Sequence, residues 1–169
     1  MFGAKKNPQI SQEWVQQALV EIDKLDPDKR HHEDSDVRYS LSVDDLSDWE
    51  NSISPNETLT FQQLLMKYVR QKYTSNREFY KAALMDRKLF SAINNDVNYH
   101  PRKETAVACC FALILDYSEA EELLKKAGYT LSLSIQWDRI VYYCLKNGIY
   151  DIDSVNALLY ERGEKCIRA

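Results

Sequence analysis

The stretch SNREFYKAALMDRKLFSAINN (75–95) decides the fold, because it predicts two short helices joined by a very brief turn. Ser75 or Asn76 caps the first helix, and Asp86 caps the second. Apolar residues recur at helical intervals and predict the buried face of the pair: Phe79, Ala82, Ala83, Leu89, Phe90 and Ile93. Two helices so closely joined form a pair of the DNA-binding type.

The helical signal continues on both sides of this pair. Further helices are predicted over 11–25, 60–73, 102–115, 118–128, 133–148 and 153–163. Pro101 introduces the helix that starts at residue 102, and Ile114 is one of its inward positions. Ser118 with Glu121 predicts a capping box, and Asp153 opens the last helix. Because no segment alternates with the period of a strand, we predict an all-α fold.

The N-terminal third is predicted to be an acidic arm. Residues 11–25 form an amphipathic helix. Its apolar side consists of Trp14, Ala18, Ile22 and Leu25. Most of residues 26–42 are polar or charged, and such a composition predicts a flexible linker because it cannot bury enough surface to fold. A short helix over 43–52 follows. We therefore divide the chain into this arm, 1–59, and a helical domain, 60–169.

Charge is distributed unevenly along the chain, whose formal net charge is -4. Residues 1–59 hold 6 Lys and Arg against 13 Asp and Glu, whereas residues 60–130 hold 11 against 8. Electrostatic footprints are local, so the basic middle of an acidic chain can still face a nucleic acid.

Several functional classes are disfavoured by what the sequence lacks. No apolar run approaches the roughly 20 residues of a membrane span, and the first residues lack the apolar core of a secretory signal, so we expect a cytoplasmic protein with no membrane partner. There is no glycine-rich phosphate loop, and His100 has no apparent nucleophile partner. The cysteines do not have the spacing of metal ligands: Cys109, Cys110, Cys144 and Cys166. We predict a non-enzyme without a metal or other cofactor.

Three features beyond the helix pair carry a family resemblance. PRKET (101–105) follows the pair, Ile93 ends its second helix, and LILDYSEAEELL (113–124) leads into a further helix. In these features residues 60–127 resemble the phage-repressor-like helix-turn-helix family, often called the Xre class. The resemblance implies a five-helix core in which residues 87–95 are the recognition helix that enters the major groove of double-stranded DNA.

The same resemblance implies which residues would contact DNA. The implied set is Asn76, Arg87, Lys88, Ser91, Asn94, Arg102 and Lys103. Asn76 falls where the family often places a Gln that contacts phosphate or a base. Arg87 and Lys88 would donate to guanine O6 and N7 in the major groove. Arg102 and Lys103 open a helix whose free backbone N–H groups would suit a phosphate.

The chain departs from the family pattern at three positions. Leu84 stands where the family usually has Gly, so a turn with positive φ would be costly there. Tyr80 replaces a small Ala between the two helices, which predicts a changed packing distance or angle. Asp86 replaces a common Ser or Thr and would repel phosphate, although it caps a helix equally well.

Two functions remain open from the sequence. The first is a DNA-binding transcription regulator of bacterial or phage origin, acting as a homodimer through C-terminal aromatic residues: Trp137, Tyr142, Tyr143, Tyr150 and Tyr160. The second is a non-catalytic protein-interaction adaptor, in which the helix at 11–25 binds a groove on a protein partner. That helix could equally fold back on its own domain. A longer stretch, about 60–165, is also similar to a helix-turn-helix-related module of bacterial proteins with two extra C-terminal helices.

Overall fold

The computed structural model describes residues 10–29 and 58–168. These residues form eight α-helices, and no strand occurs among them, which confirms the all-α prediction. The helices are α1 Gln12–Asp23, α2 Phe61–Lys72, α3 Asn76–Ala82, α4 Arg87–Asn95, α5 Lys103–Ala112, α6 Tyr117–Lys126, α7 Gln136–Lys146 and α8 Ile152–Glu161. The short helix predicted over 43–52 and most of the predicted linker lie outside the described residues.

One apolar core receives side chains from all eight helices. Helix α5 is enclosed by the others, since every residue from Thr105 to Ala112 is buried. It packs on α6, which in turn packs on α2 and α7. A helix surrounded in this way must be apolar on every side, and this accounts for the uninterrupted run AVACCFA (106–112). The remaining helices are amphipathic and turn one face to this core.

Helix α1 packs against α7 and α8 of its own chain. Its buried residues are Val15, Ala18, Leu19 and Ile22. Of the predicted apolar side, Ala18 and Ile22 are buried and Trp14 is half-buried against the core. Leu25 is half-buried, and the buried Val15 and Leu19 were not predicted. At the end of α1, Nη2 of Arg162 lies 2.6 Å from Oδ2 of Asp23 and fixes the helix to the residue that follows α8. Of the two outcomes that the sequence left open for this helix, the structure shows the one in which it folds back on its own domain.

The first residues of the predicted linker are part of the folded domain. Pro27–Lys29 form a turn of 3₁₀ helix. Oδ2 of Asp26 lies 2.9 Å from Nη1 of Arg139, a side chain that is almost completely buried. The composition of the segment predicted flexibility, but this one ion pair holds its start, 26–29, against α7.

The capping box of α6 is formed by Asp116 and Glu119, and the predicted box of Ser118 and Glu121 was wrong. Oδ1 of Asp116 accepts a hydrogen bond from the backbone N–H of Glu119 at 2.9 Å, and the Glu119 carboxylate accepts one from the backbone N–H of Asp116 at 3.0 Å. A carboxylate at this end of a helix also interacts favourably with the helix dipole. The N-cap therefore lies two residues earlier than predicted.

Three other predicted positions also differ in the structure. Asp151, and not Asp153, caps α8, with Oδ2 accepting from the backbone N–H of Ser154 at 2.9 Å. Ala82 is exposed, because the buried side of this segment consists of Phe79 and Ala83, which lie four positions apart on one helix face. Ile114 is exposed as well, because α5 ends at Ala112 and the chain turns there.

Five turns that follow helices contain a residue with positive φ. Three of these residues are the glycines that were predicted to end helices: Gly128, Gly148 and Gly163. The other two are Leu84, with φ of 54°, and Ile114, with φ of 51°. Leu84 thus adopts the positive φ that was expected to be costly for it, and the side chains of Leu84 and Ile114 are exposed, at 48% and 61%. Neither residue is a glycine, and neither side chain is buried. The strain of positive φ at these two positions is therefore not offset by glycine's conformational freedom or by burial.

We expect Leu84→Gly and Ile114→Gly each to raise the free energy of unfolding. The left-handed conformation costs an L-residue about 1–2 kcal/mol, and glycine's extra entropy loss is about 0.5–1 kcal/mol. The net gain in urea unfolding should be about 0.5–1 kcal/mol, larger at the β-branched Ile114. Val97→Gly is the control, since Val97 is exposed but does not have positive φ, and it should lose stability. Equal losses at all three positions would contradict the expectation.

Three cysteines belong to the core. Burial raises the pKa of the Cys109, Cys110 and Cys144 thiols, so the reactive and metal-binding thiolate is strongly disfavoured. Cys166 is half-buried, with Sγ 3.9 Å from the carbonyl oxygen of Asn156. Within the described ranges no cluster of His, Cys, Asp and Glu is arranged to hold a metal ion. We interpret the buried thiols as packing groups.

Candidate nucleic-acid interface

Helices α3 and α4 form the closely joined pair that the sequence predicts. Four residues separate them. Ser75, and not Asn76, caps α3, because its Oγ accepts a hydrogen bond from the backbone N–H of Glu78 at 3.3 Å. Asp86 caps α4 as predicted, with Oδ1 accepting from the backbone N–H of Leu89 at 2.7 Å. Both starts are therefore fixed by local hydrogen bonds.

A cluster of aromatic rings fixes the angle between the two helices. Phe79 of α3 is completely buried and makes edge-to-face contacts with Tyr73 at 5.7 Å and with Phe90 of α4 at 5.9 Å between ring centroids. Tyr80, which was expected to change the packing of the two helices, is half-buried with its ring 5.6 Å from that of Phe90. Its ring is thus accommodated beside α4.

The outer face of α4 is exposed and carries two cations. Phe90 and Ile93 are buried, so Arg87, Lys88 and Ser91 are on the solvent side. Neither cation forms an ion pair with any residue that the structure describes. Oγ of Ser91 accepts a hydrogen bond from the side chain of Asn95 at 3.2 Å. This face is open to a ligand of opposite charge.

Asn76 and Asn94 lie at opposite ends of the pair. Asn76 is the exposed first residue of α3. Asn94 is half-buried near the end of α4, where its backbone carbonyl accepts a hydrogen bond from Nε2 of Gln62 at 2.9 Å. That bond ties α4 to α2. The Asn94 side chain donates to Asn95 at 3.3 Å.

Arg102 and Lys103 at the start of α5, both of which the resemblance implies as phosphate contacts, have different surroundings in the structure. Arg102 is exposed and makes no side-chain cap bond. Nζ of Lys103 lies 2.7 Å from Oδ2 of Asp138 on α7, and that carboxylate is 2% exposed. A hydrogen bond from its own backbone N–H lowers the pKa of Glu104, and the charges of Lys165 and Arg102 lower it further. Arg102 is therefore the residue here that is open to a phosphate.

The segment from α2 to the start of α5 has a larger excess of positive charge than the range 60–130 that contains it. Residues 61–102 hold 8 Lys and Arg against 3 Asp and Glu. Sequence reasoning missed Arg77 and Lys81, which are exposed on α3, four positions apart. Their helical spacing was the signal that could have identified them, because residues four apart lie on one helix face. They add two exposed cations on the helix that precedes α4.

The aromatic residues proposed as a dimer contact mostly pack on their own chain. Trp137 is buried, and its Nε1 donates to the carbonyl oxygen of Lys165 at 2.8 Å. Tyr142 makes an edge-to-face contact with Tyr117 at 5.1 Å between centroids. The other two tyrosines of α7 and its following loop are half-buried. Tyr160 is the exposed member of the predicted set, at 75%.

Comparisons with protein families, with curated proteins and with solved structures found no match to this chain. The site is therefore assessed from its own geometry. None of the helices in the described ranges is both long enough and apolar enough to cross a bilayer.

Proposed function

We propose that this protein binds double-stranded DNA, with α4 as the recognition helix. The observation that carries the proposal is the outer face of α4, where Arg87, Lys88 and Ser91 are exposed on a short helix whose other side is fixed by Phe90 and Ile93. A helix of this size fits the major groove, and an anchored helix holds its side chains in one register.

Each exposed group has a distinct chemical role in this proposal. Arg87 and Lys88 donate to the O6 and N7 acceptors of guanine, and Ser91 contacts a neighbouring base or phosphate. Arg102 and Asn76 contact the DNA backbone and fix the register of the protein on the duplex. Asp86 keeps its cap bond and repels phosphate, so the first turn of α4 favours base edges.

The biological role that fits such a site is a cytoplasmic transcription regulator of bacterial or phage origin. A single helix pair reads only a few base pairs, so a regulator of this type binds paired half-sites as a homodimer. The exposed Tyr160 on α8 is a suitable dimer contact, because aromatic residues are enriched in interface cores.

A protein-interaction adaptor is the second candidate, and one observation favours it. Leu84 and Ile114 are exposed apolar side chains in strained turns, and such positions are often kept for a contact. The sequence favoured an adaptor because α1 has an apolar face, but that face packs against α7 and α8 of the same chain. The adaptor reading therefore depends on the two turns.

Fluorescence anisotropy with labelled duplexes tests the proposal. The chain should bind both mixed-sequence and native upstream duplexes at 50 mM salt, with affinity that falls steeply toward 200 mM as counterions are released. Tighter binding to the upstream duplex would indicate sequence reading. If no duplex binds even at low salt, the DNA proposal is wrong and the adaptor reading takes its place.

A further inference from the structure

A buried carboxylate on α7 holds the lysine that opens α5. Oδ2 of Asp138 accepts a hydrogen bond from Nζ of Lys103 at 2.7 Å and another from the backbone N–H of Ser132 at 2.8 Å. Asp138 is 2% exposed, whereas the Lys103 side chain is 25% exposed. The lysine thus reaches from the surface inward, and its charge is neutralised below the surface.

The next residue of α7 forms a second ion pair. Arg139 is 8% exposed, and its Nη1 lies 2.9 Å from Oδ2 of Asp26 and 3.0 Å from the carbonyl oxygen of Leu133. The first turn of α7 therefore holds two adjacent buried charges of opposite sign, each with its own partner. Asp138 has no second cation within ion-pair distance among the described residues, so Lys103 alone balances it.

We infer that Asp138 withholds Lys103 from phosphate, so that Arg102 is the only cation at the start of α5 that contacts the DNA backbone. The inference rests on the DNA-binding function proposed above and deepens it. Asp138 is a positioning residue, because it acts through Lys103 and not on the nucleic acid itself.

The energetic reason is the burial of Asp138. If Lys103 turned outward to a phosphate, it would leave a carboxylate without a counter-charge in the protein interior, which is strongly unfavourable. One phosphate contact at the surface gains much less, since the phosphate is already neutralised in part by condensed counterions. The ion pair therefore persists in the complex, and the site keeps one fewer non-specific contact.

The salt dependence of duplex affinity measures how many phosphates are neutralised, and it separates this role from a purely structural one. We expect Asp138→Asn to release Lys103, because Asn can still accept the bond from Ser132 but carries no charge. The slope of log affinity against log salt should steepen by about 0.9, which corresponds to an additional loss of about 3.5-fold between 50 and 200 mM salt. Lys103→Met in the otherwise wild-type chain should leave the slope unchanged.

Two further variants make the result specific. The double variant Asp138→Asn/Lys103→Met contains neither charge and should return to the wild-type slope. Asp153→Asn changes the net charge by the same amount at an exposed position of α8 and should not steepen the slope. Circular dichroism confirms that each variant is folded at the assay temperature, and the double variant remains informative if either single variant unfolds.

The outcomes separate the two levels of the proposal. If the wild type binds and Asp138→Asn leaves the slope unchanged, Lys103 does not reach phosphate when released and the inference is overturned. A shallower slope in Lys103→Met would also overturn it, because Lys103 would then contact phosphate in the wild type. If the wild type binds no duplex, the proposed function itself fails, and the inference fails with it.

Discussion

Arg87→Ala/Lys88→Ala is expected to reduce affinity for a preferred duplex by about 30-fold or more, because each base-reading contact is worth about 1–3 kcal/mol of discrimination. Both side chains are exposed and form no ion pair with a described residue, so their removal should change the free energy of unfolding by less than about 0.5 kcal/mol. Loss of binding without loss of stability is the signature of a contact residue.

Two quantities should change together in this variant. The affinity for the preferred duplex should fall to that for a mixed-sequence duplex, since the groups that distinguish base pairs are removed. Part of the salt slope should remain, because Arg102, the proposed backbone cation, is unchanged in this variant. Anisotropy titrations on both duplexes at two salt concentrations measure both effects.

Lys24→Ala/Arg168→Ala provides the matched control. It also removes two positive charges, but from exposed positions outside residues 61–102. Its affinity should remain within about twofold of the wild type, since screening limits the influence of distant surface charges. Equal losses in the two double variants would mean that binding responds to net charge alone, and α4 would then not be the recognition helix.

The sequence predicted the elements whose signal is repeated along a helix. Each helix described between residues 60 and 163 was predicted, because several apolar residues at fixed spacing report the same buried face. On α7, for example, five apolar residues at helical spacing are buried: Trp137, Ile140, Val141, Cys144 and Leu145. A pattern with several independent members tolerates an error at any one of them.

Features that depend on a single residue were predicted less well. Asp116 and Ser118 are both good N-caps, and local sequence does not decide which one ends the extended segment. Leu84 was expected to make positive φ costly, yet the turn adopts it because the buried Met85 and the aromatic contacts of α3 and α4 determine the chain path. Tertiary packing overrides local preference there.

In the candidate site, too, the features with a repeated helical signal were predicted and the features that depend on a single contact were not. The exposure of Arg87, Lys88 and Ser91 followed from the helical period, because they lie opposite the apolar face of α4. The ion pair between Lys103 and Asp138 joins residues 35 positions apart, and a single sequence contains no signal for such a pairing. The docking of α1 on α7 and α8 was left open for the same reason.

Phe79→Ala is expected to cause the largest loss of stability, about 3–5 kcal/mol of unfolding free energy. Phe79 is completely buried and contacts the rings of Tyr73 and Phe90, so its removal leaves a cavity between α3 and α4 and takes one ring contact from each of those neighbours. A domain of this size has about 5–15 kcal/mol in total, so the midpoint of urea unfolding should fall markedly while its slope remains unchanged. Val20→Ala is the control, since Val20 is 58% exposed, and it should change stability by less than about 0.5 kcal/mol.

The consequence for DNA binding follows from the position of Phe90. This residue fixes the inner side of α4 and makes its ring contacts with α3 through Phe79 and Tyr80, so a cavity at position 79 loosens the recognition helix even where the variant remains folded. At 10 °C, where circular dichroism should still show folded protein, Phe79→Ala should bind the preferred duplex more weakly than Val20→Ala does. A stability loss below about 1.5 kcal/mol would mean that α3 and α4 close the cavity by moving together, well short of the cost of a rigid void. Unchanged affinity in a destabilised variant would mean that α4 does not depend on the aromatic cluster for its orientation. The register of Arg87 and Lys88 would then come from the other anchors of α4, the buried Ile93 and the hydrogen bond from Gln62 to Asn94.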